Sequence, residues 1–336
     1  GSWLVRDLLA KRAEVVALAR DWDPQSELIR SGDVNRVSVV NGVVENLGTV
    51  TRALNHHSCD TVFHLAAQTQ VGAAHRDPFE TFESNVRGTY TVLEACRRLG
   101  AQVQRIVVAS SDKAYGDAAT LPYTEATRLD AKYPYDTSKL CTDFLTRSYV
   151  VTYGLPATIA RCGNIYGGGD LNWDRIVPGT IRWLLAGERP ILRSDGKLTR
   201  DYVYVKEVVA AYEALAEHVH RPEVRGEAFN FSAEKPLSVL EIVAAVTRAV
   251  GSSLTPEIRN TAVLEKIRQL METEAGNKYI AMVEKLTEDD HSSLDESPRA
   301  PSARVCRRRG LRHDRAVRHL SGERAAGDQA GARRRA

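Results

Sequence analysis

No apolar run in the chain approaches the roughly 18–20 residues that cross a bilayer, and no signal peptide opens it, which leaves the cytoplasm as the expected compartment. Cysteine is sparse. Cys59, Cys96, Cys141, Cys162 and Cys306 are scattered without CxxC spacing, which argues against a disulfide frame or a zinc site and for reduced thiols; no metal is expected. Methionine occurs only at Met271 and Met282. Lysine is missing after residue 297, where twelve arginines and three acids give a local charge of +9. The whole chain carries only +3, so the rest stands at −6 and gives no general reason to expect a nucleic-acid partner. There are no internal repeats.

What is present suits a globular protein. Hydrophobic residues make up 43% of 336, enough to bury one large α/β core or two medium ones. Helical and strand spacings alternate: WLVRDLLAKR (helix), AEVVALAR (strand), VTRALNHH (helix), DTVFHLAA (strand), FESNVRGTYTVLEACRRLG (helix), RIVVASS (strand), YDTSKLCTDFLTRSYVVTYG (helix) and PATIARCGNIYG (strand and loop). This alternation predicts an α/β fold, a doubly wound parallel sheet of Rossmann-like type, with ligands at the carboxyl ends of its strands. Shorter elements in RIVPGTIRWLLAGERP, DYVYVKEVVAAYEALAEH, AFNFSA and LSVLEIVAAVTRAVG predict a smaller C-terminal substrate lobe. The expected division is 1–165 for the dinucleotide-binding domain, 166–262 for the substrate lobe and 263–336 for an atypical, disordered, arginine-rich tail. Arg, Ala and Gly without Lys also resemble an out-of-frame reading of GC-rich DNA.

Two stretches carry chemistry. In YPYDTSK, Tyr135 and Lys139 stand four apart on a predicted helix and share a face. An ammonium nearby favours the phenolate, so the pair predicts a Tyr135 lowered far enough to exchange a proton with a sugar or alcohol hydroxyl. In SSDKAYGD, Asp112 and Lys113 follow directly on an apolar strand, where charges are tolerated mainly if solvated, paired or used. A surface pair and a catalytic acid and base are both open on this ground. His64, inside an apolar strand, reads as a core histidine. The GGGD run at 167–170 reads as a flexible substrate loop.

HLAAQT, ESNVRGTYTVLEAC, VVASSDKAYGD, YPYDTSK, RCGNIYGGGDLNWDRIVPG, RDYVYVKEV and EAFNFS, in this order, resemble the extended short-chain dehydrogenase/reductase family over roughly residues 1–260. Within it the similarity is to CDP-glucose 4,6-dehydratases. The resemblance implies a bound NAD, a nucleotide-sugar substrate and a homodimer. It implies that Tyr135 takes the proton of the sugar 4-hydroxyl, with Lys139 tuning it and holding the nicotinamide ribose, and that Ser111 bonds the same oxygen. A dehydratase then needs one group to remove the C5 proton and another to protonate the departing 6-hydroxyl. The family places these at Lys113 and Asp112; dTDP-sugar dehydratases have Asp-Glu there, and epimerases usually neither. Asn164, Asn172 and Arg200 match substrate-binding positions, Arg200 with a fork suited to a pyrophosphate. Gln68 and Asn85 match structural or cofactor-adjacent positions.

Cofactor contacts carry over to Gly1, Arg20, Ala66, Tyr135 and Lys139. Here the chain departs from the pattern. It opens at what corresponds to the last glycine of a G-x-x-G-x-x-G loop, so the first strand and earlier glycines are expected to be missing. The place of the acid that recognises the adenosine ribose falls on Ala19 or Arg20, with Asp21 one step further; an arginine suits a 2′-phosphate, and NADP stays open beside NAD. Val43 and Asn46 stand where similar proteins often have Asp. The readings in competition are a 4,6-dehydratase, a cofactor-deficient remnant that still binds nucleotide sugar, and a 4-epimerase.

Overall fold

The structure, a computed structural model, describes residues 1–117 and 121–259. The tail, with Met271, Met282 and Cys306, lies outside the described residues. Those described belong to one compact unit, Gly1–Lys266.

Strands β3 (Thr61–His64), β4 (Arg105–Ser111) and β5 (Ala157–Cys162) pair in parallel. Residues 228–231, expected in the smaller lobe, instead extend this sheet: they form a strand parallel to β5, giving the order (228–231)-β5-β4-β3. Upstream, β1 (Val16–Ala19) and β2 (Ser38–Asn41) form a separate parallel pair.

The continuous apolar text of β4 follows from its being covered on both faces. Successive side chains of a strand point to opposite sides. Ile106 and Val108 join Val92, Leu93, Ala95 and Cys96 in one core, and Val107 joins Leu4, Val208, Val209 and Leu215 in the other. The first core is closed by helices α2 (Leu47–His56) and α3 (Gly88–Leu99), the second by α1 (Ser2–Ala10) and a helix at Val205–His218. Each such Val, Leu or Ile side chain, fully buried, contributes about 1.5–3 kcal/mol.

Helix α3 continues a short helix, Pro78–Phe82, through a single π turn at Glu83–Arg87. The long helix α4 (Pro134–Tyr153) starts with Pro134 in its first turn, where a missing N–H costs nothing, and stops at Gly154, whose left-handed φ of +69° a side chain would resist.

Between β1 and β3 the two sheets do not pair. A cavity of about 1530 Å³ lies there, lined by Val16, Ala17 and Leu18 on one side, Val62, Phe63 and Ala66 on the other, and by Gly1, Leu4 and Leu8.

Candidate active site

β4 ends at Ser111, and the chain turns at once into a 3-10 turn, Asp112–Tyr115. Ser111 caps that turn: its Oγ accepts from the Lys113 amide at 3.2 Å and donates to Asp112 Oδ1 at 2.9 Å. The first two turns of α4 face the same place. Ser111, Asp112, Lys113, Tyr135, Lys139, Asn164 and Asn172 all line one crevice of about 700 Å³ at the carboxyl end of the strands. The charged end of the apolar strand is therefore half-buried in a cleft rather than a solvated surface pair.

The electrostatics of the Tyr135–Lys139 pair differ from expectation. Burial pushes the Tyr135 phenol up to about 12, the Ser111 hydroxyl working against it. Burial also pulls Lys139 down to about 8, and its Nζ donates to the Ala109 carbonyl at 2.8 Å. For both groups desolvation is the largest cause of the shift. The shift of Tyr135 in this structure is upward, opposite to the expected lowering.

A buried network stands behind the pair. Arg161 on β5 bonds Asp143 on α4 at 2.6 Å, with side chains 3% and 0% exposed. The same guanidinium donates to the Tyr115 hydroxyl at 2.6 Å, which donates on to Asn230 Oδ1 at 2.8 Å. Asp143 lies one turn beyond Lys139, so the bond fixes α4 against the sheet at the level of the crevice. Asn85, in the π turn, accepts from the Gln68 amide at 2.6 Å and donates to Gln68 O at 2.9 Å and Ser138 Oγ at 2.8 Å. It joins the end of β3 to α4. His64 is a core histidine, as expected: it contacts Thr89 Oγ1 at 3.0 Å, and burial depresses it to about 3, hence neutral.

Of the carried-over cofactor positions, Gly1 lines both the crevice and the larger cavity, and Ala66 lines the cavity. Gly1 caps α1, whose first-turn residues Ser2 and Trp3 line the crevice, a fit for a pyrophosphate on unpaired helix amides. Arg20 is engaged elsewhere, with Asp21 at 2.6 Å and Glu80 at 3.4 Å. The two carboxylates compete with a 2′-phosphate for this half-exposed guanidinium, which weighs toward NAD. Asn46, in place of Asp, caps α2 by accepting from the Thr49 amide at 2.9 Å.

Arg200 is a correction. It does not line the crevice; it sits exposed on a short strand, Thr199–Arg200, and its guanidinium donates to Thr199 O at 2.9 Å. Asn164 is in the crevice, its amide 3.3 Å from Asp201 O. The cation that does line the crevice is Arg175, paired with Asp170 at 3.2 Å and near enough to Tyr135 to oppose the effect of burial. Its signal was present in DRIVPG, but one arginine in a polar loop has no spacing to single it out.

Against known proteins, the model of the NAD dependent epimerase/dehydratase family matches residues 1–231. The chain belongs to that family. NAD is thus its cofactor class, in agreement with the engaged Arg20. Among curated relatives, the chain is 31% identical over 206 residues to the trifunctional UDP-glucose 4,6-dehydratase/UDP-4-keto-6-deoxy-D-glucose 3,5-epimerase/UDP-4-keto-L-rhamnose-reductase RHM1 of Arabidopsis thaliana, covering 60% of this chain and 30% of that protein. It is 38% identical over 149 residues to a dTDP-glucose 4,6-dehydratase of Mycolicibacterium smegmatis, 44% of each chain. The chain thus spans less than half the length of these relatives. Among solved structures, a UDP-glucose 4-epimerase of Thermus thermophilus in complex with NAD matches at 29% identity and TM-score 0.64, covering 77% of this chain and 82% of that one. A dTDP-glucose 4,6-dehydratase double mutant of Streptomyces venezuelae matches at 26% and 0.67, covering 77% and 81%. The doubly wound α/β fold is that of these proteins. No helix among the described residues is long and apolar enough to cross a membrane.

Proposed function

We propose that the protein is an NAD-dependent nucleotide-sugar 4,6-dehydratase. The observation that carries this reading is the presence of Asp112 and Lys113 in the same crevice as Ser111, Tyr135 and Lys139. Tyr135 and Ser111 bind the sugar 4-hydroxyl, and Tyr135 takes up its proton as C4 is oxidised. That step requires the phenolate, which burial disfavours and the positive nicotinamide ring of bound NAD would favour. When bound, NAD supplies the hydride acceptance at C4 and its return to C6. The 4-ketone acidifies the C5 proton, which Lys113 removes; Asp112 protonates the leaving 6-hydroxyl, and Lys113 returns a proton to C5 as C6 is reduced. The sum is loss of one water with no net oxidation. Asn164, Asn172 and Arg175 hold the nucleotide diphosphate.

Lys113, where dTDP-sugar dehydratases carry an acid, supports CDP-glucose as the substrate and CDP-4-keto-6-deoxyglucose as the product, an intermediate of deoxysugar and surface-polysaccharide synthesis. The relatives named above act on dTDP- and UDP-glucose, so all three nucleotides belong in the test. Exposed apolar side chains on α3 and α4, among them Tyr90, Phe144 and the 86%-exposed Val151, support a homodimer formed through these helices. Free thiols at the four described cysteines suit the cytoplasm.

A second reading, a nucleotide-sugar-binding protein that does not retain its cofactor, is favoured by the 1530 Å³ cavity beside Gly1. Incubation with NAD and each nucleoside-diphosphate glucose, followed by mass spectrometry, separates the readings. Loss of one water supports the dehydratase. An unchanged mass with inverted C4 supports an epimerase, and no change despite measured sugar-nucleotide binding supports the second reading.

A further inference from the structure

The Gly167–Asp170 loop, read from sequence as flexible, is packed on three sides. A Cβ on Gly167 would stand 2.4 Å from Val205 Cγ1, and one on Gly169, whose φ is +77°, would stand 3.0 Å from Glu27 Cβ. Gly168 lies against Trp3: its Cβ position is 3.6 Å from the indole Cζ2, and Trp3 Nε1 donates to Gly168 O at 2.7 Å. Gly167 and Gly169 leave no free space for a side chain, whereas a Cβ on Gly168 would sit at ordinary van der Waals distance from the indole.

The indole is itself held. The Arg6 guanidinium and the Lys206 ammonium lie 5.0 Å and 5.4 Å from its ring centroid, within cation–π range. Arg6 also pairs with Glu27 at 2.8 Å, the residue that abuts Gly169. On the far side of the loop, Asp170 Oδ1 accepts from the Asn172 amide at 3.0 Å and Oδ2 pairs with Arg175 at 3.2 Å. An unbroken series of contacts runs from the first turn of α1, through the loop, to two polar residues of the crevice.

We propose that Trp3 is a positioning residue: its indole N–H ties the Gly167–Asp170 loop to the first turn of α1 and so holds Asn172 and Arg175 toward the diphosphate of a nucleotide sugar. The placement of the loop stands on the geometry alone. The effect on substrate rests on the function proposed above.

Trp3→Phe removes the N–H but keeps an aromatic ring between Arg6 and Lys206. Gly169→Ala pushes the loop from the Glu27 side without touching α1. In both variants, amide hydrogen exchange over 167–175, where the Asn172 amide donates to Asp170 and the Arg175 amide to Asn172 O, should accelerate about tenfold while the amides of β4 keep their wild-type rates, through loss of one hydrogen bond in Trp3→Phe and displacement of the loop in Gly169→Ala. The Kd for CDP-glucose should rise about tenfold in both variants, and in Gly169→Ala, which leaves the first turn of α1 as it is, the Kd for NAD should stay within about twofold of wild type. Unchanged exchange over 167–175 in both variants overturns the proposal. So does faster exchange with an unchanged Kd, where wild type binds CDP-glucose. If wild type does not bind it, the substrate assignment is what has failed, and the exchange rates alone decide whether Trp3 fixes the loop.

Discussion

Lys139→Met tests the electrostatics of the site in a single substitution. Methionine has about the length of the lysine stem and no charge, so packing against the sheet is kept. The buried ammonium of Lys139 is depressed from 10.5 to about 8 by desolvation. At a pH below both values that difference costs the folded wild type roughly 3 kcal/mol relative to a chain without it. The sign follows from proton counting. Between about 8 and 10.5 the unfolded chain keeps its proton on Lys139 while the folded chain releases it, so wild-type stability rises with pH through this window. The 2.8 Å bond to Ala109 O survives deprotonation, because a neutral amine still donates, and its loss in the variant is a constant offset. Urea denaturation of wild type and Lys139→Met, compared at matched pH, should therefore show wild type gaining about 3 kcal/mol on the variant from about pH 7.5 to about pH 11. In thermal scans this is roughly 6–12 °C. A difference that stays flat across that range would refute the argument, because it would mean that Lys139 is solvated.

Two further outcomes follow from the packing. Arg161→Met leaves Asp143 buried without its partner and Tyr115 without a donor, and should lower stability by about 3–5 kcal/mol in urea denaturation. Phe144→Glu combined with Val151→Glu places charge on the exposed apolar surface of α4; light scattering after gel filtration should show a wild-type dimer and a variant monomer, with crevice chemistry intact at saturating substrate.

Long periodic segments were legible in the sequence because burial on one face or two leaves a period. The apolar run of β4 and the apolar face of α3 announced themselves in this way. β2 did not: Ser38–Asn41 is four residues long with no buried position, too little for a pattern. The edge strand at 228–231 was seen as a strand but assigned to the lobe, since sequence gives no sign of which sheet edge a strand will join. In the crevice, Tyr135 and Lys139 came from helical spacing, Asp112 and Lys113 from charge at the end of an apolar strand together with resemblance, and Ser111 from resemblance; all five line it. Arg200 came from resemblance alone and does not, whereas Arg175 had no spacing to mark it. The direction of the Tyr135 shift was missed for a physical reason. Helical spacing gives the neighbour of a side chain, but not how much water both have lost. Glycine runs are equally ambiguous in text, because freedom of motion and close packing require the same residue.

The central claim is that Asp112 and Lys113 turn a sugar-oxidising site into a dehydratase. The direct measurement is turnover of CDP-glucose with NAD in heavy water by wild type and Lys113→Met, read by mass spectrometry and NMR of the sugar. Wild type should yield a product short of one water with deuterium at C5, and Lys113→Met should neither lose water nor exchange the C5 proton. A wild-type product of unchanged mass with inverted C4, or water loss undiminished in Lys113→Met, would contradict the account.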